Sequence, residues 1–301
     1  MLLFWILFNL LVIALLALDL GVLNRRAHAV RLGEALCWSA AWITLAAAFA
    51  VTLFFWHGRA EALQFVTGYV IEVTLSVDNL FLFLVIFRYF KVPAEQQHKV
   101  LFWGVLGALV MRGLFIAAGV GLIRRFDWVI YAFGTLLIYS GVKFLRQGGQ
   151  KLHPEQNPVL RFARRVLPVT DEYVGSHFFT RKDALHATPL FVVLLIIETS
   201  DILVAVDSIP AVLAITVNAF IVYTSNVFAI LGLRSMYFAL AEMIDRFRYL
   251  HYGLSVVLIF VGLKMLGSHY VNVPTEWALG IVLLVLGISI AASLAVPKTN
   301  A

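Results

Sequence analysis

Residues 186–216 read HATPLFVVLLIIETSDILVAVDSIPAVLAIT. This mostly apolar run is longer than the roughly 20 residues that cross a bilayer as a helix. Three acids, Glu198, Asp201 and Asp207, nevertheless lie well inside it. A charged group at the centre of a membrane span costs roughly 2.5–3.5 kcal/mol on insertion scales, so such residues usually have a function. The stretch therefore predicts a transmembrane helix that carries a polar site, with a kink or break at Pro210.

The rest of the chain is also rich in apolar residues. Of its 301 residues, 62% are hydrophobic and 13% are charged, and the mean hydropathy is +0.92. A soluble domain is roughly half apolar and about a quarter charged, and it could not hide this much apolar surface. We predict an all-α, polytopic membrane protein that is a single transmembrane domain over residues 1–301, and not an enzyme. The nine predicted spans are residues 2–22, 33–56, 64–88, 99–123, 127–146, 186–216, 219–243, 250–268 and 275–296.

Lysine and arginine are distributed unevenly between the loops. Of the 23 Lys and Arg residues, 17 fall on one side of a nine-span arrangement, four fall on the other, and Arg112 and Arg234 lie inside spans. Because these residues concentrate in cytoplasmic loops, the N-terminus is predicted outside and the C-terminus in the cytoplasm. The net charge of +6 then reflects topology. We expect the lipid bilayer as a partner and no nucleic acid, and no oligomeric state follows from these patterns.

The long polar segment at residues 147–185 is predicted to be a cytoplasmic loop. It contains the basic run RFARR at residues 161–165. The loop could be a linker that fixes topology, or its basic run could form a surface helix on anionic lipid. We favour the linker.

Two parts of the chain share an order of polar residues. Residues 141–145 read GVKFL, and residues 262–266 read GLKML. This order predicts two copies of a three-span unit, repeat A at about 64–146 and repeat B at about 186–268, that cross the membrane in opposite directions. Chance similarity between apolar helices is the alternative. The other matches are Glu72 and Asp78 with Asp201 and Asp207, Arg112 with Arg234, and Arg125-Phe126 with Arg246-Phe247.

Acids inside spans are the basis of the candidate site. At about 100° per residue, Glu72 and Asn79 share a helix face, and so do Asp201 and Ser208. Asp78 and Asp207 point elsewhere on ideal helices, so either the helices unwind near them or these acids serve different neighbours. Arg112 and Arg234 are the expected charge-balancing partners. The five acids are Glu72, Asp78, Glu198, Asp201 and Asp207.

The ligands that these spans offer are oxygen atoms. Besides the carboxylates there are the Asn79 amide, the Ser208 hydroxyl and, as a possible additional ligand, Asn226. Such a set suits Mg²⁺, Ca²⁺ or Mn²⁺ better than Zn²⁺ or copper. Burial and mutual repulsion favour protonated carboxyl groups, and metal entry would release those protons. A divalent cation is therefore expected as a substrate exchanged for protons, with no permanently bound cofactor. The alternative is that the acids only pair with the arginines to fix helix packing.

Two strings resemble signatures of a known family. Residues 68–79, GYVIEVTLSVDN, resemble the first signature of the TerC/Alx family of integral membrane proteins, and residues 198–210, ETSDILVAVDSIP, resemble the second. Residues 177–179 and 225–234 also resemble family segments, so the likeness covers nearly the whole chain. It implies a bacterial inner-membrane protein. Members are linked to manganese export, to tellurium resistance and, in plastids, to thylakoid biogenesis. The implied metal-site acids are Glu72, Asp78, Glu198, Asp201 and Asp207.

Three functions compete. A Mn²⁺ exporter is the first choice, and a membrane scaffold, biogenesis factor or tellurium-resistance factor with a structural polar core is the second. An intramembrane hydrolase with paired aspartates needs two carboxylates that share a proton around a water molecule. The chain has no Gly-x-Gly-Asp segment, so we do not expect a hydrolase.

Overall fold

The computed structural model describes residues 2–18, 32–147, 168–170, 173–181, 185–243, 249–270 and 273–295. Most of them are helical, and a short turn of 3₁₀ helix, Gly267–His269, directly follows the helix that ends at Leu266. The helices in these residues are α1 (Leu2–Leu18), α2 (Leu32–His57), α3 (Arg59–Tyr89), α4 (Ala94–Arg125), α5 (Val129–Gln147), α6 (Pro189–Leu213), α7 (Ala219–Met243), α8 (Leu250–Leu266) and α9 (Thr275–Ala295).

These helices have the length and composition of membrane spans. In the described ranges, eight are long and apolar enough to cross a bilayer. The remaining one, α1, has 17 residues, which is at the lower limit of about 17 for a span. Leucines such as Leu114, Leu203 and Leu284 are exposed on the outside of the bundle, where lipid would cover them. The predicted all-α, polytopic membrane fold is confirmed.

The largest differences from the predicted spans are at α3, α4 and α6. The first two have 31 and 32 residues and continue into polar sequence at their ends. Hydropathy marks the part of a helix inside the membrane, whereas backbone hydrogen bonding continues beyond it. α6 remains helical through Pro210 and ends at Leu213, so the predicted break is absent. Pro210 has no N–H to donate to the carbonyl of Val206, so one helical hydrogen bond is lost, and the helix ends three residues later.

α6 packs against both α3 and α4, while its opposite side, with Leu203, is exposed on the outside of the bundle. It runs antiparallel to α3, since Gly68 meets Val212 while Asn79 meets Asp201. It runs parallel to α4, which approaches closely through glycines. A Cβ at Gly104 would lie 3.3 Å from Ile197, and one at Gly119 would lie 2.9 Å from Leu213. α7 packs against both α3 and α4 and completes a four-helix centre.

The outer helices pack around this centre. α2 covers α3 and α7, and α9 covers α3 and α8. α5 and α8 form an antiparallel pair in which the backbones almost touch. A Cβ at Gly134 would lie 3.1 Å from the carbonyl oxygen of Gly262, and one at Gly141 would lie 2.8 Å from that of Ser255. Side chains larger than hydrogen do not fit at these glycines.

The loop before α6 contains a small β-ribbon that the sequence did not predict. β1 (Phe179–Arg181) pairs antiparallel with β2 (Leu185–Ala187). The segment is fixed to α4 by the Lys99 ammonium, which lies 4.7 Å from the centre of the Phe178 ring. It is also fixed near the end of α3 by the Tyr173 hydroxyl, which donates to the Phe90 carbonyl at 2.8 Å. Burial raises the pKa of Tyr173 to about 12, so this hydroxyl remains a proton donor. The basic run at 161–165 lies outside the described residues, so neither the favoured linker nor the alternative surface helix is tested.

Candidate functional site

Arg112 of α4 is buried at the centre of the bundle with 1% of its surface exposed. It forms an ion pair with Glu72 of α3, which is wholly buried. Two of its nitrogens donate to Asp201 of α6. The distances are 3.0 Å from Nη2 to Oδ1 and 3.3 Å from Nε to Oδ2. One guanidinium group therefore links acids from both predicted repeats.

Two amides complete this cluster. The Arg112 Nη1 donates to the Asn226 side-chain oxygen of α7 at 3.0 Å. The Asn79 Nδ2 of α3 donates to Asp201 Oδ1 at 3.4 Å. We call Glu72, Asn79, Arg112, Asp201 and Asn226 the Arg112 cluster. All five are at most 4% exposed, and together they join four helices.

The charges in the cluster explain why these side chains converge. Buried charges are tolerated only when they are paired and hydrogen-bonded. The guanidinium group offers five N–H donors in a rigid planar fork, so Arg112 can serve two carboxylates and an amide at once. With both acids ionised the cluster carries a net charge of −1, which favours a further cation or proton.

Glu198 lies beside this cluster rather than in it. Its carboxylate lies against Gly107 of α4, where a Cβ would be only 2.0 Å from Oε1. The side chain is half-buried. The glycine thus provides the space that Glu198 occupies, one turn of α6 away from Asp201.

Asp207 lies at a different interface. Its carboxylate accepts a hydrogen bond of 2.7 Å from the Ser140 hydroxyl of α5. Because α6 is continuous, six residues at about 100° each turn Asp207 away from the face that carries Asp201. Of the two alternatives left open by the sequence, α6 does not unwind, and Asp207 serves a different neighbour.

The remaining predicted site residues have separate positions. Asp78 lies in α3, and its side chain is outside the described part of the structure. Arg234 is half-buried in α7, about 12 Å beyond Asn226 along the helix axis at 1.5 Å per residue. Ser208 is fully buried, and its hydroxyl has no hydrogen-bond partner among the described residues.

The described residues contain no group of three or more His, Cys, Asp or Glu side chains that could hold a metal ion. The Arg112 cluster contains two acids, Glu72 and Asp201, and Arg112 lies between them. The residues that could hold a cation are therefore these two acids with Asn79 and Asn226, once the guanidinium group is displaced.

Sequence reasoning missed three residues that shape this region. Gly107 makes room for Glu198, and the spacing of Gly104 and Gly107 along one span could have revealed a close helix contact. Ser140 binds Asp207, but a single serine in an apolar span gives no signal of that. Ser76 is wholly buried, and its hydroxyl has no partner in the part of the chain that the structure describes. Only its position between Glu72 and Asn79 could have drawn attention to it.

The family model and the similar proteins all identify one family of membrane proteins. The family described as "Integral membrane protein TerC family" matches residues 57–301. The chain is 51% identical over 291 residues to "Uncharacterized membrane protein STKORF319" of Myxococcus xanthus, with 96% of this chain and 91% of the relative covered. It is 46% identical over 295 residues to "Putative membrane-bound redox modulator Alx" of Escherichia coli K12, with 94% and 92% covered.

A more distant relative is the "Uncharacterized membrane protein" of Rickettsia bellii, 38% identical over 290 residues with 96% of each chain covered. No solved structure matches this chain. The family match covers most of the sequence, and the bacterial relatives align along nearly their whole length. This chain therefore belongs to the TerC family of integral membrane proteins.

Proposed function

We propose that this protein exports divalent metal cations, with Mn²⁺ as the principal substrate, in exchange for protons. The observation that carries the proposal is the Arg112 cluster, in which carboxylates from α3 and α6 meet one arginine inside a helical membrane bundle. Ionisable residues at such positions are expensive and usually mark ion pathways. Carboxylate and amide oxygens suit hard divalent cations.

In this mechanism the Arg112 guanidinium group takes the place of the substrate when no cation is bound. It occupies both oxygens of Asp201 and contacts Glu72. An entering cation displaces the guanidinium group and gains these oxygens, while the Asn79 and Asn226 side-chain oxygens provide neutral ligands. Release of the cation allows Arg112, or protons, to neutralise the acids again. The protein therefore avoids leaving two bare carboxylates in a medium of low dielectric constant.

A structural function is the second candidate. A buried arginine that joins four helices could serve only to hold a scaffold, biogenesis factor or tellurium-resistance factor together. The geometry of the ion pairs fits this function as well. The two candidate functions predict different results when an acid of the Arg112 cluster is replaced by its uncharged amide. A transporter would lose cation flux, whereas a scaffold has no cation flux to lose.

The name of the Escherichia coli relative raises a redox function. The sequence contains one cysteine, Cys37, which is exposed on α2. Thiol–disulfide chemistry within one chain needs two cysteines, so these 301 residues offer no internal dithiol. An effect on cell redox state through the metal content of the cell is compatible with the exporter.

The test of this proposal is the manganese content of cells that express the protein and are then loaded with Mn²⁺. Asp201→Asn keeps the size of the side chain and removes its charge, so export should be lost at an unchanged membrane protein level. Asp78→Asn and Asp207→Asn should also lose export. Asp127→Asn makes the same chemical change at an exposed residue between α4 and α5, and it should export like the parent. Unchanged export by Asp201→Asn would favour the scaffold.

A further inference from the structure

Two buried hydroxyl groups lie without partners at the interface of α3 and α6. Ser76 and Ser208 are both 0% exposed, and neither hydroxyl has a hydrogen-bond partner among the described residues. A buried hydroxyl group that makes no hydrogen bond destabilises the fold. A ligand beyond the described residues would satisfy both hydroxyls.

Other buried hydroxyls show that this is a local feature. Each remaining buried Ser or Thr in the described ranges has a hydrogen bond, most often to a carbonyl one turn earlier in its own helix. Ser76 and Ser208 do not make this hydrogen bond to their own helix, although both lie inside continuous helices. The hydroxyls with partners are those of Ser39, Thr67, Thr74, Ser140, Thr188, Ser200, Thr216, Thr224, Ser225, Ser255 and Ser293.

The helix register places the two serines in one interface. The contacts of Gly68 with Val212 and of Asn79 with Asp201 fix α3 against α6. Both serines lie between these two contacts. At 1.5 Å per residue, this register puts Ser76 and Ser208 about 6 Å apart along the helix axes. Ser76 is also four residues after Glu72 and three before Asn79, so all three share one face of α3.

Their surroundings indicate the chemistry of the missing ligand. The interface carries the Glu72 carboxylate and the side-chain oxygen of Asn79, which also lacks a hydrogen-bond partner within the described ranges. A hydroxyl, an amide oxygen and a carboxylate are ligands of hard divalent cations. Arg112 engages Asp201 and contacts Glu72, whereas it forms no hydrogen bond with the two hydroxyls.

We infer that Ser76 and Ser208 form a second coordination point for the transported cation, between α3 and α6 and next to the Arg112 cluster. The inference rests on the proposed export function and adds Ser76 to its ligands. A cation that enters here gains hydroxyl and amide oxygens before Arg112 is displaced. This coordination point also favours hard cations, since the ligands named for it are all oxygen atoms.

A change of ligand type tests direct coordination. In a Cys37→Ala background, Ser76→Cys and Ser208→Cys each place a soft thiol where a hydroxyl was. Thiolates prefer Cd²⁺ to Mn²⁺, so each variant should bind Cd²⁺ more tightly and Mn²⁺ about tenfold more weakly than the background protein. Tenfold corresponds to the loss of about 1.4 kcal/mol. Binding of each metal alone to the purified protein, and its flux in proteoliposomes, would be measured.

Ser255→Cys is the matched control, because Ser255 is equally buried but donates to the His251 carbonyl of its own helix. It should leave the metal preference unchanged. If the Ser76 and Ser208 variants keep the Mn²⁺ affinity and metal preference of the background protein while that protein transports Mn²⁺, the hydroxyls bind only water and the inference is wrong. If the background protein moves no Mn²⁺, the proposed export function itself is wrong.

Discussion

Arg112 is the largest of the fully buried side chains in the described structure. Removing one partner from a buried ion pair is strongly destabilising, because the other charge stays in a medium of low dielectric constant. Here the guanidinium group has two carboxylate partners. The cluster therefore contributes to the stability of the fold, in addition to the ion binding that we propose for it.

Arg112→Leu should lower the stability of the detergent-solubilised protein, by roughly 3–5 kcal/mol for a broken buried pair. Thermal unfolding followed by size-exclusion chromatography would measure the loss. Adding Asp201→Asn to Arg112→Leu should restore part of the stability, because one stranded charge is removed. Arg124→Leu, at an exposed position of the same helix, is the control. Unchanged melting of Arg112→Leu would mean that the arginine does not neutralise the acids.

Glycines on α4 allow α4 and α6 to pack closely against each other. Gly104, Gly107 and Gly119 all face α6. Gly107 has the tightest contact, since the Glu198 carboxylate fills the space that a methyl group would take. Small residues commonly allow such contacts between membrane helices. The position of Glu198 thus depends on a residue that has no side chain.

Gly107→Ala should displace the Glu198 side chain and reduce transport, because the added Cβ would lie 2.0 Å from Oε1. The glutamate is a flexible side chain, so we expect a smaller effect on protein level than on Mn²⁺ flux. Gly121→Ala is the control on the same helix, where a Cβ meets nothing within 4 Å. Equal flux for the two variants would show that the position of Glu198 is unimportant.

The sequence predicted the helices well and the site only in part. Apolar length locates a span directly, and α7 begins and ends at the predicted residues, Ala219 and Met243. The polar pattern predicts that Arg112 balances buried acids, and in the structure it contacts Glu72 and Asp201. The separate position of Asp207 could not be predicted, because the sequence gives the angle around a helix but not which neighbour faces that side. The neighbour of Asp207 is Ser140, and only the folded structure shows this contact.

The predicted inverted repeat would relate two large parts of the protein by a two-fold axis in the membrane plane. The contacts of Gly134 with Gly262 and of Gly141 with Ser255 are compatible with such an axis. Any antiparallel helix pair in this register makes the same contacts, so the inverted repeat stays a prediction.

The uneven distribution of Lys and Arg predicts which ends of the helices face the cytoplasm. In a Cys37→Ala background, Ser176→Cys, in the loop before α6, should resist a membrane-impermeant thiol reagent in intact cells. Ser268→Cys, after α8, should be labelled. Both serines are exposed, so access should depend on the side of the membrane alone. The opposite labelling pattern would invert the predicted topology.

The flux of ions through purified protein in liposomes tests the proposed export of Mn²⁺ most directly. With an inward-directed Mn²⁺ gradient, a Mn²⁺-quenched dye inside the vesicles should report entry, and a pH dye should report proton movement in the opposite direction. We expect Mn²⁺ flux for the parent and for Asp127→Asn, and none for Asp201→Asn at equal incorporation. If the parent carries no more Mn²⁺ than empty liposomes, the acids around Arg112 are structural and the export function is contradicted.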